Sequence, residues 1–375
     1  MKIKSKIMES SVIVIKIGSS ILIKKDLFNE KKLLEILEDI KFFLRKKKKI
    51  ILVASGAVAL GKKYIKFQND KKLTIKQKQA LASCGQTLLM SNFLQIFNSS
   101  KLKVSQVLLT IGDTDDRKRS IQARDTLKTL MELNVVPVIN ENDTVANEEL
   151  KFGDNDRLAA RVAQIIDADL LILLGDVDGL YNKNPKNNPD ARLISIIKKI
   201  GPEIINMADN NISEHGTGGM KTKLQAAEIA MSCGCDTIIC SGLEKRPLKK
   251  IIDGVKINCT CFISNAKRKK NHFKNWLAAS IKTPGRIIID DGAFHALKKG
   301  ASLLPSGVVS VIGKFKTGDI LEISTKNKEI IGKGIVSYDY KEVKLILGKN
   351  SKQIEEILGY ISSDELIHRD NMIIK

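Results

Sequence analysis

No uncharged stretch of this 375-residue chain approaches the length of a membrane span. The basic start, Met1 to Lys6 followed by an apolar run, imitates a secretory signal. Lys16 interrupts the run and no small-residue cleavage site follows, so the segment does not read as one, and the expected compartment is the cytoplasm. Metal-ligand spacing is also missing. Of the six cysteines (Cys84, Cys233, Cys235, Cys240, Cys259, Cys261), the close pairs are one residue apart, and no histidine lies among them. Structural zinc sites space their ligands more widely, so reduced structural thiols are expected and no metal site. No repeat of 20–50 residues is visible, which argues against solenoids. Acidic residues are scarce: 42 against 63 basic, a formal net charge of +21. Such an excess raises nucleic acid as a partner. Here the lysines are spread along the whole chain, at Lys24-Lys25, Arg45 to Lys49, Lys62-Lys63, Lys71-Lys72 and Lys267 to Lys270, and most read as solvated surface charge.

Three well-known motifs are near misses. Gly56 to Lys63 has the glycine and lysine spacing of a P-loop, but its last position is lysine, which cannot offer a hydroxyl to Mg2+. Its intervening residues are helix formers, so Gly56 reads as the turn that opens a helix. His368-Arg369-Asp370 stands too near the C-terminus for a protein-kinase catalytic loop and lacks its downstream asparagine. Gly216, Gly218 and Gly219 do not follow directly on a strand, as a dinucleotide fingerprint requires.

What remains is an alternation of strands and helices up to about residue 260. Strands are expected at Val12–Ile17, Ile50–Ala54, Val104–Leu109, Val135–Ile139, Leu170–Leu174 and Thr237–Cys240. Amphipathic helices are expected at Glu30–Arg45, Lys76–Ile96, Ile121–Leu133 and Arg157–Ile166. Runs apolar on both faces call for a mainly parallel sheet covered by helices. A polar, basic stretch then interrupts the pattern. Beyond Pro284-Gly285 come short strands, expected at Arg286–Ile289, Val308–Ile312, Asp319–Ile323, Gly332–Val336 and Val343–Leu347. The expected division is 1–262, a linker over 263–283, and a β-rich domain over 284–375.

Ligands of parallel sheets gather at the carboxyl ends of the strands. Polar and glycine clusters fall there: Lys16-Ile17-Gly18, Ser55-Gly56, Asn140-Glu141-Asn142-Asp143 and Gly175-Asp176. A lysine inside the run Val12 to Ile17 is costly unless its charge meets a partner. It either snorkels to water from the strand end or points over Gly18 at a phosphate. Gly216 to Lys223 is a glycine-rich turn feeding a helix start, where backbone N–H groups and the dipole favour an anion. Lys221 and Lys223 in that first turn oppose the dipole, a conflict that a bound anion resolves. Gly153-Asp154-Asn155-Asp156-Arg157 opens another helix, and its acidic and amide groups either cap the helix or, with Asn140 to Asp143, line a pocket for an ammonium group. Acidic clusters beside phosphate-seeking lysines suit a zwitterionic substrate next to a nucleotide.

These motifs, with Gly179-Leu180-Tyr181, Ser302 to Gly307 and Ile367 to Asp370, make nearly the whole chain resemble the amino-acid-kinase family, in the form that carries a C-terminal PUA domain. The resemblance implies an α/β three-layer sandwich with a mainly parallel central sheet, plus a small β-rich PUA-like domain. It implies transfer of the γ-phosphoryl of ATP, with Mg2+, to the side-chain carboxylate of L-glutamate, a step toward proline. Lys16 and Lys223 would flank the transferring group, and Asp156 would orient them. Ser55, Asp143 and Asn155 would bind glutamate, with Asn140 and Asp154 nearby. Thr217, Gly218, Gly219, Met220, Lys221, Thr222 and Lys223 would hold the ATP phosphates, and Gly175 and Asp176 would touch the nucleotide. Position 175 is often Thr or Ser in the family, so one hydroxyl contact is missing here. Dimers or tetramers, and proline as feedback inhibitor, also follow from the resemblance. The rivals are another small-molecule kinase of the same family and, from a different class, an RNA-binding protein built on the PUA-like domain.

Overall fold

The computed structural model describes residues 2–68, 73–145, 155–185, 187–209, 219–264, 283–350 and 353–374. The chain divides into two compact units, Met1–Lys269 and Lys270–Lys375.

The first unit is built on an eight-stranded sheet. Its strands are β1 (Val12–Ile17), β4 (Lys49–Ala54), β5 (Lys103–Leu109), β6 (Val135–Glu141), β7 (Leu170–Gly175), β8 (Ile196–Ile197), β9 (Asp236–Ser241) and β10 (Cys259–Phe262). The pair β2 (Ile23–Lys24) and β3 (Leu27–Phe28) forms a separate ribbon. The order is β5-β6-β4-β1-β7-β9-β10-β8, parallel throughout except where β10 runs against β9. The helices are α1 (Lys2–Glu9), α2 (Ser19–Leu22), α3 (Glu30–Arg45), α4 (Ala57–Tyr64), α5 (Ile75–Ser99), α6 (Ile111–Asp115), α7 (Arg117–Glu132), α8 (Asn155–Ile165), α9 (Pro202–Asp209), α10 (Met220–Ser232) and α11 (Pro247–Asp253).

Side chains of a strand alternate between faces, and β1 uses both. Ile13, Ile15 and Ile17 pack into a core shared with Leu33 and Phe43 of α3 and Phe93 and Phe97 of α5. Val14 packs on the opposite side with Leu158 and Val162 of α8 and Leu224 and Ala227 of α10. The result is three layers, helix, sheet and helix. The same alternation puts Lys16 on the face of Val14, under α8 and α10.

Two glycines let α4 and α5 touch. A Cβ on Gly61 would stand 1.8 Å from the Leu81 carbonyl oxygen, and one on Gly85 1.7 Å from that of Ala57. This contact seats the turn after β4 against α5. Gly56, at φ 116°, makes that turn and opens α4, as its sequence context suggested.

All six cysteines are free thiols. Cys240 and Cys259 face each other on β9 and β10, and burial pushes the Cys261 thiol up to about 12.

The second unit holds a five-stranded sheet of β11 (Gly285–Ile289), β12 (Val308–Gly313), β13 (Ile320–Thr325), β14 (Ile330–Ile335) and β15 (Met372–Ile374), in the order β12-β11-β13-β14-β15. Ile287, Leu321, Tyr338 and Ile367 are among the residues of its core. One expected strand is corrected. Residues 343–347 lie not in a strand but largely in a helix, α13 (Tyr340–Ile346), after α12 (Asp291–Lys298). The cause is local. Asp339 accepts from the Glu342 N–H at 3.0 Å, while the Glu342 carboxylate accepts from the Asp339 N–H at 2.7 Å. This capping box starts a helix whose buried residues, Val343 and Ile346, are three apart.

Candidate active site

The carboxyl ends of β4, β1 and β7 lie side by side. Ile17 is in register with Ala54 on one side and with Leu174 on the other. Neighbouring strands are about 4.8 Å apart, so the turns that follow them share one rim. Gly18 donates its N–H to the Leu174 carbonyl at 2.9 Å, which holds the turn after β1 against β7.

Lys16 does not snorkel to water. Its Nζ lies 2.6 Å from Asp156 Oδ1, while Lys223 Nζ lies 2.9 Å from Asp156 Oδ2. The two lysine side chains are 5% exposed and the aspartate 0%. Strand β1 and helices α8 and α10 each contribute one member. Thr222 Oγ1 donates to the Gly219 carbonyl at 2.9 Å and stands 3.3 Å from Asp156 Oδ2. Burial raises the Asp156 carboxyl, but the two ammonium charges outweigh it and hold the group well below the usual carboxylate range. Two cations and one anion leave a net charge of +1 on a buried trio. The conflict of Lys223 with the dipole of α10 is thus met in part by Asp156, ahead of any bound anion.

A second cluster starts one residue away. Asn155 Nδ2 donates to the Ala54 carbonyl at 2.5 Å, to Ser55 Oγ at 2.9 Å and to Asn140 Oδ1 at 2.7 Å. Asn140 also accepts from the Glu141 N–H at 2.9 Å and donates to Gln86 Oε1 at 2.8 Å. Asp143 sits half-buried in the turn just beyond β6. Among the residues singled out from sequence, Ser55, Asn140 and Asn155 meet here, and Lys16, Asp156, Thr222 and Lys223 meet at the first cluster.

Gly175 ends β7 beside Lys223. A Cβ there would stand 3.3 Å from Lys223 Cε, so a side chain at this position would press on the lysine. Asp176, just past it, is exposed, as is Lys221, while Met220 is buried. Gly219 caps α10 with no side-chain hydrogen bond. Thr217, Gly218 and Asp154, together with Gly153 and Gly216, lie outside the described residues.

Gln86 was not foreseen. It sits in the amphipathic run of α5, just before Leu88, Leu89 and Met90, where a glutamine reads as an ordinary helix residue. The signal available was its place next to Gly85, whose lack of a side chain brings α5 onto the turn after β4.

Two family models match the chain: the amino acid kinase family over residues 11–241 and the PUA domain over residues 285–358. The glutamate 5-kinase of Pelagibacter ubique is 46% identical over 97% of this chain and 98% of its own length. Those of Paramagnetospirillum magneticum and Syntrophotalea carbinolica are each 42% identical, over 97% of this chain and 97% of their own lengths. The chain therefore belongs to the amino acid kinase family, in the glutamate 5-kinase group that joins the kinase domain to a PUA domain.

Proposed function

We propose that this protein transfers the γ-phosphoryl group of ATP to the side-chain carboxylate of L-glutamate, giving L-glutamyl 5-phosphate and ADP, the first step toward proline. The observation that carries this reading is the near-full-length match, at 46% identity, to a protein named glutamate 5-kinase. The geometry supports it. A net-positive trio of Lys16, Asp156 and Lys223 lies one residue along α8 from a hydrogen-bonding cluster of Ser55, Asn140 and Asn155.

The acceptor carboxylate is already anionic and needs no general base. The barrier is the approach of two anions, and fixed positive charge lowers it. Lys16 and Lys223 are the residues we assign to that charge. Asp156 holds both ammonium groups in place, so little reorganisation is needed as charge develops. The backbone amides at Gly219 and Met220, opening a 13-residue helix, suit the nucleotide phosphates, with Lys221 and Thr222 beside them. Gly175 and Asp176 are assigned to the nucleotide, and Asp143 with the Ser55 cluster to the amino acid.

Both Asp156 oxygens are engaged by lysines, and the described residues hold no group of three or more His, Cys, Asp or Glu that could bind a metal. This donor set suits a Mg2+ that arrives with ATP and is held chiefly by its phosphates, where it neutralises charge. Feedback by proline and assembly into dimers or tetramers belong to the same reading; sedimentation with and without L-proline tests both. No helix among the described residues is long and apolar enough to cross a membrane.

The reading is tested by ATP-dependent formation of γ-glutamyl hydroxamate from glutamate and hydroxylamine. Product is expected with L-glutamate and not with L-aspartate or N-acetylglutamate. Salt-sensitive retention of RNA without hydroxamate formation would transfer the function to the PUA-like unit.

A further inference from the structure

Strands β9 and β10 bring two cysteines face to face, and the hydrogen bonds of their neighbours tell which kind of pair they form. Cys240 is in register with Cys259 across the antiparallel ladder. The backbone groups of one strand residue point to one side, and those of the next residue to the other. In β9, the Asp236 N–H donates to the Asp169 carbonyl at 3.2 Å, and the N–H of Gly242, just past the strand, donates to the Gly175 carbonyl at 2.8 Å, both on the β7 side. Cys240 stands an even number of residues from each, so its N–H and C=O also turn toward β7. In β10, the Cys261 N–H donates to the Ser195 carbonyl at 2.9 Å, and the Ile263 N–H to the Ile197 carbonyl at 2.8 Å, both on the β8 side. Cys259 therefore turns its backbone groups toward β8. Neither residue makes a backbone bond to the other, so Cys240 and Cys259 are a non-hydrogen-bonded pair.

That distinction matters for sulfur. Facing Cα atoms of such a pair are about 4.5 Å apart, against about 5.5 Å in the hydrogen-bonded kind, and their side chains stand closer. A disulfide needs Cα atoms about 4.4–6.8 Å apart, with the Cβ atoms directed at each other. Both thiols lie on one face of the sheet, in the core that also holds Leu248 and Ile251 of α11. Among the described residues, no other two cysteines are in register across two strands. Cys261 faces Ile238. Cys233 and Cys235 donate their S–H groups to the Ala230 and Asp236 carbonyls, at 3.0 and 3.4 Å. Cys259 is 6% exposed and adjoins the exposed Asn258, while Cys240 is sealed at 0%.

We propose that Cys240 and Cys259 are an oxidation site, at which a peroxide converts the facing thiols into a disulfide that joins β9 to β10. The Cys259 thiolate attacks one oxygen of hydrogen peroxide and breaks the O–O bond. Its sulfur becomes a sulfenic acid, and the other oxygen leaves as hydroxide, which takes up the thiol proton to give water. The Cys240 sulfur then displaces the sulfenic hydroxyl, which leaves with the Cys240 proton as a second water. The two sulfurs lose two electrons and the peroxide gains them. Burial pushes both thiols up, so little thiolate exists at neutral pH and the reaction is slow. Cys259, the more exposed of the two, reacts first. The bridge ties together both ends of the segment that carries α11, and it restricts the unfolded chain.

The test treats the full-length protein with hydrogen peroxide, alkylates the remaining thiols in denaturant, and maps linked peptides by tandem mass spectrometry without reduction. Expected are the loss of two of the six alkylatable thiols, a linkage between Cys240 and Cys259, and recovery of both thiols with dithiothreitol. The bridged protein should melt a few degrees higher than the same sample after dithiothreitol. Cys261→Ala removes the next thiol on the same face and should leave the linkage intact, while Cys240→Ala should abolish it. Six alkylatable thiols after prolonged exposure, a linkage between other cysteines, or oxidation of Cys259 beyond the sulfenic acid with no linkage overturns the proposal. The wild-type map decides this by itself, so a variant that fails to fold does not leave the question open. The glutamate reading is independent of it and is tested by hydroxamate formation.

Discussion

Asn155 and Asp156 are neighbours in the chain, yet they serve two different clusters. Asn155 ties the start of α8 to β4 and β6, while Asp156 holds one lysine from β1 and another from α10. The helix start thus fixes the spacing between the group assigned to the amino acid and the groups assigned to the phosphoryl transfer.

Replacing Asp156 by asparagine removes the buried carboxylate that Lys16 and Lys223 both contact. Breaking a buried ion pair costs about 3–5 kcal/mol, and urea unfolding measures it. The pH dependence has a definite sign. The folded carboxyl is held below its ordinary value of 3.8, so its stabilisation is complete above that value and fades as pH falls through the depressed one. The gap between wild type and Asp156→Asn should be full at neutral pH and close only well below pH 4. A gap that closes near pH 6 would mean that Asp156 is not the anion of the trio.

Asp39 provides a titration of opposite sign. It lies on α3 and accepts from the Leu248 N–H of α11 at 3.0 Å. Burial pushes its carboxyl up to about 6, against the pull of the Leu248 and Lys249 N–H groups and of Arg246. Between 3.8 and about 6 the folded state holds the extra proton, so stability from this group is greatest below that window and falls as pH rises through it. The loss is about 3 kcal/mol by linkage. Asp39→Asn keeps an acceptor for Leu248 and cannot titrate. Its stability relative to wild type should rise between pH 4 and 7, as read by denaturant unfolding. Parallel profiles would refute the shift.

Asp143 is assigned to the ammonium group of the amino acid. Asp143→Ala should therefore raise the KM for glutamate by about tenfold or more, the worth of one charged hydrogen bond, with little change for ATP. Equal losses for both substrates would count against the assignment.

Much of this was legible in the chain, and the reasons are local. The run Val12 to Ile17 has one way to bury both faces, so β1 and the parallel sheet followed from it. The glycines at 56 and 219 marked helix starts because backbone geometry there needs little from elsewhere. Tertiary information was harder to read. That Lys16 is buried against Asp156, not extended to water, depends on two helices laid over the Val14 face. Gln86 gave no signal, since its place in the cluster rests on a hydrogen bond to Asn140, on another element. Residues 343–347 misled because their apolar pattern suits a strand. The capping box at Asp339 and Glu342 outweighs that pattern by satisfying backbone donors at the helix start.

The central claim is that positive charge at Lys16 and Lys223, held by Asp156, stabilises the transferring phosphoryl group. Lys223→Met tests it most directly, because Asp156 keeps Lys16 as a partner and methionine replaces all of the lysine side chain but its charged end. The measurement is kcat/KM for ATP-dependent glutamate phosphorylation in wild type and in a variant whose fold is verified by circular dichroism. The account predicts a loss of about 3–4 kcal/mol of transition-state stabilisation, several hundredfold in rate, by analogy with removed oxyanion donors. A folded Lys223→Met protein that turns over glutamate near the wild-type rate would contradict it.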